Sequence, residues 1–205
     1  MALKLPDGLT LYFARHGQTQ ANVEHRFSGY KDTPLTPLGL EQAAQVGRIL
    51  KREIGKSSYH FVSSPLARAV TTMKIARQAM DLAPEGFATD NRLKEINLGV
   101  WDQLTDEEAR AVSPILFETR GNDKWHVRVP GGENYAEVAA RVSDWVRELK
   151  TDTVAISHGA TTRILRGLLA DLDWRAMSVL DEPQGVVFRV RGAEVVKLEP
   201  SGELR

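Results

Sequence analysis

Leu11-Tyr12-Phe13-Ala14-Arg15-His16-Gly17 is an apolar, aromatic run that stops abruptly at an Arg-His-Gly turn. Residues 11–14 predict a short buried strand, and the polar residues after them mark its carboxyl end. The same grammar recurs twice. Residues 60–62 predict a strand followed by Ser63-Ser64-Pro65, and residues 153–157 predict one followed by His158-Gly159. Long helical patterns separate these runs. Thr36-Pro37 offers an N-cap and a first-turn proline, after which Leu40, Ala43, Gly47 and Leu50 recur on one face. Leu66, Ala69, Met73, Ala76 and Met80 repeat that spacing after Pro65, and Tyr135, Val138, Val142, Trp145 and Leu149 mark a third helix.

Strands alternating with helices imply βαβ units and a mainly parallel sheet covered on both faces, hence an α/β fold. Runs at 186–190 and 194–198, joined only by Arg191, Gly192 and Ala193, predict an antiparallel C-terminal hairpin. Residues 98–130 carry two weaker helical patterns and no strand, so they are read as an excursion or lid over one end of the sheet. Length favours a single domain over residues 1–205.

Composition narrows the partners. Lys and Arg number 27 and Asp and Glu 27, so no bulk positive field draws the chain to nucleic acid or an anionic membrane, and a small soluble substrate is expected. With no cysteine, disulfides, thiol catalysis and thiolate-held metals are excluded. A Pro-Asp-Gly break interrupts the N-terminal apolar residues where a signal peptide needs continuity, which predicts the cytoplasm. No apolar run approaches the roughly 20 residues of a membrane helix.

In open α/β sheets ligands bind beyond the carboxyl ends of the strands. That rim collects Arg15 and His16 from the first strand, Arg68 after the second, and His158 and Gly159 after the third. Two imidazoles and two guanidiniums make a compact anion site, and the Arg fork suits phosphate oxygens. The helix N-termini after Pro65 and Gly159 are expected to add N–H donors, and the glycines after His16 and His158 to let backbone approach the ligand. A neutral imidazole attacks phosphorus if its other ring N–H is held by a backbone carbonyl. The leaving alkoxide needs a proton, and Glu95 is the best candidate acid.

The stretch Ala14-Arg15-His16-Gly17-Gln18-Thr19-Gln20-Ala21-Asn22, then Leu35-Thr36-Pro37-Leu38-Gly39-Leu40-Glu41-Gln42-Ala43, Ser63-Ser64-Pro65-Leu66-Ala67-Arg68-Ala69, Leu93-Lys94-Glu95 and Ser157-His158-Gly159 resembles the histidine phosphatase superfamily, also called the phosphoglycerate mutase-like family. Motif order and distances match along nearly the whole chain. The resemblance implies a three-layer α/β/α sandwich, His16 as nucleophile, a phosphate clamp of Arg15, Arg68 and His158, and Glu95 as proton donor. It further implies substrate contacts at Asn22, Ser28 and Gly29, and chemistry that needs no metal or other cofactor.

Two departures stand out. Gln18 replaces a common Glu, and Trp101-Asp102-Gln103 replaces a common Trp-Glu-Gly, so the loop near Glu95 is expected to differ. Family mutases typically carry Glu-Arg-His-Tyr-Gly around the proton donor and a longer chain, whereas Glu95 is followed by Ile-Asn-Leu-Gly. The expected function is therefore hydrolysis of a small phosphomonoester through a phosphohistidine. The alternatives are a phosphoglycerate mutase and a catalytically silent binding module on the same fold. His25, His60 and His126 lack motif context and are read as structural or surface residues, the four tryptophans as core or lid packing, and Pro130-Gly131-Gly132-Glu133 as a turn and lid hinge.

Overall fold

The computed structural model describes residues 3–55 and 58–200. β1 (Thr10–Arg15), β2 (His60–Ser63), β3 (Ala88–Thr89), β4 (Thr153–Ser157), β5 (Val187–Arg191) and β6 (Glu194–Leu198) form one sheet in the order β3-β2-β4-β1-β5-β6. The pairs β1–β4, β4–β2 and β2–β3 are parallel, while β5 runs antiparallel to β1 and β6 to β5. This is the mainly parallel sheet with an antiparallel C-terminal hairpin that the sequence predicts. β3 was not predicted, because its two exposed residues carry no apolar run to read. The hairpin turn is also one residue shorter than expected. Arg191 belongs to β5 and pairs with Glu194, which leaves Gly192 at φ +59° and Ala193 as a two-residue turn.

Side-chain alternation along β1 builds the three layers. Tyr12 and Ala14 face α2 (Pro37–Ile54) and α3 (Ala67–Ala79), packing with Val46, Ile49, Leu50, Met73 and Ala76. Leu11 and Phe13 face the opposite way, against Trp145 and Val146 of α6 (Tyr135–Arg147) and Leu165 and Leu169 of α7 (Gly159–Leu169). Full burial of a Leu or Ile stabilises by about 2 kcal/mol relative to exposure. Of the predicted α2 stripe, Ala43, Gly47 and Leu50 are buried but Leu40 is 45% exposed. The first turn of α2 docks through Gly39, whose added Cβ would lie 2.0 Å from the Gln18 carbonyl oxygen, so Leu40 points away.

Residues 98–130 contain a 3-10 turn (Gly99–Trp101), α4 (Asp106–Val112) and α5 (Pro114–Asn122), and no strand. Trp101, Ala109 and Val129 pack there with Phe27, Leu116 and Phe117 as a separate small core. The remaining α-helices among the described residues are α1 (Gln20–Val23) and α8 (Trp174–Ser178). Among the described residues, no helix is long and apolar enough to cross a membrane. β4 lies between β1 and β2, so the three strand ends that carry the motifs are neighbours. The His16 N–H donates to the Ser157 carbonyl at 2.9 Å, and the Ser64 N–H to the Ile156 carbonyl at 2.9 Å.

Candidate active site

His16 leaves β1 with its ring 2% exposed and its roles divided between two nitrogens. Nδ1 lies 2.7 Å from the Gly17 carbonyl oxygen, which can only accept, so Nδ1 carries the proton. The lone pair is then on Nε2, where it accepts from Arg68 Nε at 3.2 Å. Burial, then the charges of Arg15 and Arg68, hold the imidazole pKa well below its ordinary value.

Arg68 is seated in a cradle of oxygen atoms. Its Nη2 donates to the Gly29 carbonyl at 2.7 Å and the Ser28 carbonyl at 3.2 Å, while Nη1 reaches Asp32 Oδ1 at 2.7 Å and the Lys31 carbonyl at 3.2 Å. Asp102 fastens the cradle from behind, since its carboxylate accepts from the N–H groups of Gly29, Tyr30 and Lys31 at 2.8 to 3.0 Å. The departure at Asp102 therefore shapes the loop at residues 29–31, which packs at Gly29 against the backbone of Ile96 and Leu98, next to Glu95. Gln18, the other departure, accepts from the Thr36 hydroxyl at 2.8 Å and ties β1 to the N-cap of α2.

His158 is fully buried at the start of α7, 5.1 Å from the His16 ring between centroids. Its Nε2 is 2.6 Å from Ser64 Oγ, which also accepts the Leu66 N–H. A serine hydroxyl can donate to Nε2 or accept from it, so this contact serves either tautomer of His158. The Nδ1 of His158 is buried with no hydrogen-bond partner among the described residues, and so is Arg15 Nε. Arg15 Nη1 is held by Glu182, donating to its carbonyl at 2.7 Å and lying 3.8 Å from its carboxylate.

Glu95 is 7% exposed. Its Oε1 accepts from the N–H groups of Ile96 at 2.8 Å and Thr161 at 3.2 Å, and Oε2 from Ala160 at 3.2 Å. Burial and then the negative charge of Glu182 push its pKa up, outweighing those donors and the pull of Arg68 and Arg15. A carboxyl whose pKa is raised holds its proton to higher pH than an exposed one, which suits a general acid.

One sequence expectation needs correction. The N-termini of α3 and α7 are occupied by the protein's own carboxylates: Asp32 accepts from the N–H of Ala67 at 2.7 Å, and Glu95 from those of Ala160 and Thr161. Helix dipoles stabilise any nearby anion, and here side chains supply it. Gly17 and Gly159 are also closely packed within the protein. A Cβ on Gly17 would lie 2.1 Å from the Gly39 carbonyl oxygen, and one on Gly159 would lie 2.4 Å from Glu182 Oε2.

A cavity of about 450 Å³ opens at this rim. Arg15, His16, Asn22, Ser28 and Glu95 line it; Gly29, Arg68, His158 and Gly159 are not among its lining residues. Asn22 caps α1 through Oδ1, which also accepts from Gln184 Nε2 at 3.1 Å. His25, His60 and His126 do not line this cavity. Arg120, Lys124, Tyr135, Arg163 and Glu182 do, and sequence reasoning passed over them. Arg163 alone left a trace, four residues after Gly159 on the face of α7 that begins at the site. The Pro130-Gly131-Gly132-Glu133 segment is the expected turn, with Gly131 at φ +74° and Glu133 Oε2 accepting the Asn97 N–H at 2.8 Å.

His16, with its Nε2 lone pair directed at Arg68 and with Arg15 and His158 beside it at the carboxyl ends of a parallel sheet, forms a compact cationic site suited to an anion such as phosphate. The chain belongs to the histidine phosphatase superfamily, branch 1, whose family model matches residues 11–194. A curated relative from Salmonella paratyphi C, "Probable phosphoglycerate mutase GpmB", is 37% identical over 139 residues, covering 65% of this chain and 60% of that protein. The match thus spans about three-fifths of the length of such relatives. Among solved structures, the α-ribazole phosphatase of Shigella flexneri superposes with a TM-score of 0.81 at 23% identity, over 94% of this chain and 96% of that one, a likeness of fold. A mycobacterial glucosyl-3-phosphoglycerate phosphatase aligns with a TM-score of 0.77 at 26% identity, covering 95% and 100%.

Proposed function

We propose that this chain is a metal-independent phosphatase that hydrolyses a small phosphomonoester through a phosphohistidine at His16. The observation that carries the reading is the fixed tautomer of His16, with Nδ1 bonded to the Gly17 carbonyl and the Nε2 lone pair among cationic groups. Nε2 attacks phosphorus, the Nε2–P bond forms, and the ester P–O bond breaks with its electron pair leaving on the alkoxide oxygen. That oxygen takes the proton of Glu95. In the second step water attacks phosphorus, Glu95 takes a proton from it, and the Nε2–P bond breaks to release inorganic phosphate. Arg68 Nε turns from Nε2 to a phosphate oxygen as the substrate enters. Arg15 Nε supplies a further donor, and so does His158 Nδ1 in the tautomer in which the Ser64 hydroxyl donates to Nε2, each preorganised donor being worth about 3 kcal/mol at the transition state.

Hydrolysis is favoured over mutase action because Glu95 runs into Ile96, buried beside α6 and α7, where the resemblance places a polar retaining segment in mutases. Relatives named for a mutase keep the isomerase as the competitor. The test is release of inorganic phosphate from p-nitrophenyl phosphate in excess chelator, with acid-labile phosphate trapped on the protein during turnover. His16→Ala should lower the rate by about 10⁴-fold or more and abolish trapping. A His16→Ala protein that still turns over removes His16 from the nucleophile role, and phosphoglycerate interconversion faster than phosphate release makes the protein a mutase.

A further inference from the structure

The connection after α8 brings Glu182 to the cavity wall and is tied down on both sides of it. Arg166 Nη2 donates to the carbonyl and the carboxylate of Asp181 at 2.7 Å, Gln184 Nε2 to the His16 carbonyl at 3.1 Å, and Gln45 Nε2 to the Gly185 carbonyl at 2.8 Å. The Glu182 carbonyl takes Arg15 Nη1, and its carboxylate lies 3.8 Å from that nitrogen and 3.1 Å from Arg163 Nη2. Arg163 is steadied in turn by the Tyr135 hydroxyl at 3.0 Å. Gly159 leaves room for this arrangement, since an added Cβ would lie 2.4 Å from Glu182 Oε2 and 3.2 Å from Arg15 Cζ. The next residue, Ala160, donates its N–H to Glu95 at 3.2 Å. Glu182 and Glu95 thus meet the first turn of α7 at adjacent residues.

A carboxylate in the wall of a phosphate site works against binding, because like charges repel. Its placement matters for the other carboxyl. Arg15, Arg68 and Arg163 all favour the ionised form of Glu95, which has no proton to give. Burial opposes them most, and the charge of Glu182 comes next. Arg68 has Asp32 at 2.7 Å as its own counter-charge, and Glu182 serves Arg15 and Arg163 together. The charged and titratable groups that face Glu182 are Arg15 from β1, Arg163 from α7, Tyr135 from α6, Lys124 from the segment after α5, and Glu95 itself. Of these, Glu95 is the group whose proton the reaction needs.

We propose that Glu182 is a positioning residue for the general acid: its carboxylate sets the charge balance among Arg15, Arg163 and Glu95 on which delivery of the proton to the leaving oxygen depends. This rests on the phosphatase reading, in which Glu95 is the acid. The same charge repels phosphate, so its removal has two opposite effects, a tighter hold on the anion and an acid that ionises at lower pH.

Carbon-13 NMR titration of the glutamate carboxyl groups in the whole protein reads the link without turnover, with the Glu95 signal assigned by its loss in Glu95→Gln. The Glu95 midpoint should fall in Glu182→Gln and in Glu182→Ala, and stay near that of the parent in Glu182→Asp, which keeps the charge. On an alkyl phosphate, the ratio of kcat at about pH 6 to kcat at about pH 8 should rise about fivefold or more in Glu182→Gln, and hardly change on p-nitrophenyl phosphate, whose leaving group needs no proton. Inorganic phosphate should bind Glu182→Gln about threefold more tightly than the parent. A strut that only holds Arg15 and Arg163 in place would instead weaken phosphate binding and leave the Glu95 midpoint where it is. An unmoved or raised midpoint in both uncharged variants overturns the proposal. The phosphatase reading is scored separately, by phosphate release from p-nitrophenyl phosphate. A lowered midpoint in a protein that releases no phosphate overturns that reading and leaves the charge link standing, and hydrolysis with an unmoved midpoint does the reverse.

Discussion

At the scale of single residues, the site depends on where a few protons sit. His16 and His158 are buried beside Arg15 and Arg68, and both are held neutral, their pKa values well below 6.5. Unfolding lets these rings take protons that the fold refuses. Their contribution to stability is therefore fully present above pH 6.5 and is lost as the pH falls through the depressed values. Urea midpoints should drop between pH 7.5 and 5, and a double variant His16→Asn with His158→Asn should flatten that drop; an unchanged slope would show that other groups carry it. Glu95 has the opposite sign, its raised pKa keeping a proton that an exposed carboxyl would lose. As general acid it should set the basic limb of the kcat profile, above the ordinary carboxyl range. Glu95→Gln should cost about 10²- to 10⁴-fold on alkyl phosphates, whose leaving groups need the proton. On p-nitrophenyl phosphate, whose leaving group departs as a stable anion, the loss should be far smaller, and equal losses on both would remove Glu95 from the acid role.

At the scale of elements, position and stability are governed by different contacts. The loop at residues 28–31 holds Arg68 through three carbonyl oxygens, and Asp102 holds the loop through three N–H groups. Asp102→Ala leaves those N–H groups to water and loosens the cradle. A stability loss of about 1–2 kcal/mol is expected. The kcat/KM should fall further than that loss explains, by about tenfold, because Arg68 no longer presents Nε to His16. Gly47 works in the opposite sense. A Cβ there would lie 2.2 Å from the Ala76 carbonyl oxygen and 2.7 Å from the Ala79 Cβ, so α2 and α3 pack through a bare backbone. Gly47→Val should therefore destabilise by about 2–3 kcal/mol through overpacking far from the rim, with kcat/KM of the folded fraction within twofold of the parent. Chemical denaturation and steady-state kinetics on the same preparations separate the two effects, and a Gly47→Val protein as stable as the parent would show that the helices can part freely.

At the scale of the molecule, the sequence was legible wherever function sits next to a regular element. Each rim motif follows a strand in the chain, so local hydrophobicity placed Arg15, His16, Arg68 and His158 at one edge before any tertiary contact was known. The residues that escaped notice are joined to the site only by the fold. Arg120 and Lys124 arrive on an excursion whose short helices have a weak apolar pattern, and Glu182 arrives on the connection after α8. The helix N-termini were misread for a related reason, since nothing local says that Asp32 and Glu95 will reach back to cap them. The same long-range assembly creates a charge asymmetry that composition conceals. The chain is formally neutral, yet Arg15, Arg26, Arg120, Lys124 and Arg163 line one cavity with three acids, Glu95, Asp106 and Glu182, among them. Such a cleft focuses the field on approaching anions although the molecule as a whole does not attract them. Association should then be screened while chemistry inside the buried site is not. For a phosphomonoester substrate, kcat/KM should fall about fivefold or more as ionic strength rises from about 0.02 to 0.5 M, with kcat nearly constant. Arg26 pairs with Glu24 and Glu108 at 2.9 Å, so its charge is largely matched, and Arg26→Gln should leave the salt slope close to that of the parent. Lys124→Gln, which removes an unmatched charge, should make it shallower. Parallel slopes for all three proteins would mean that the field arises elsewhere on the surface.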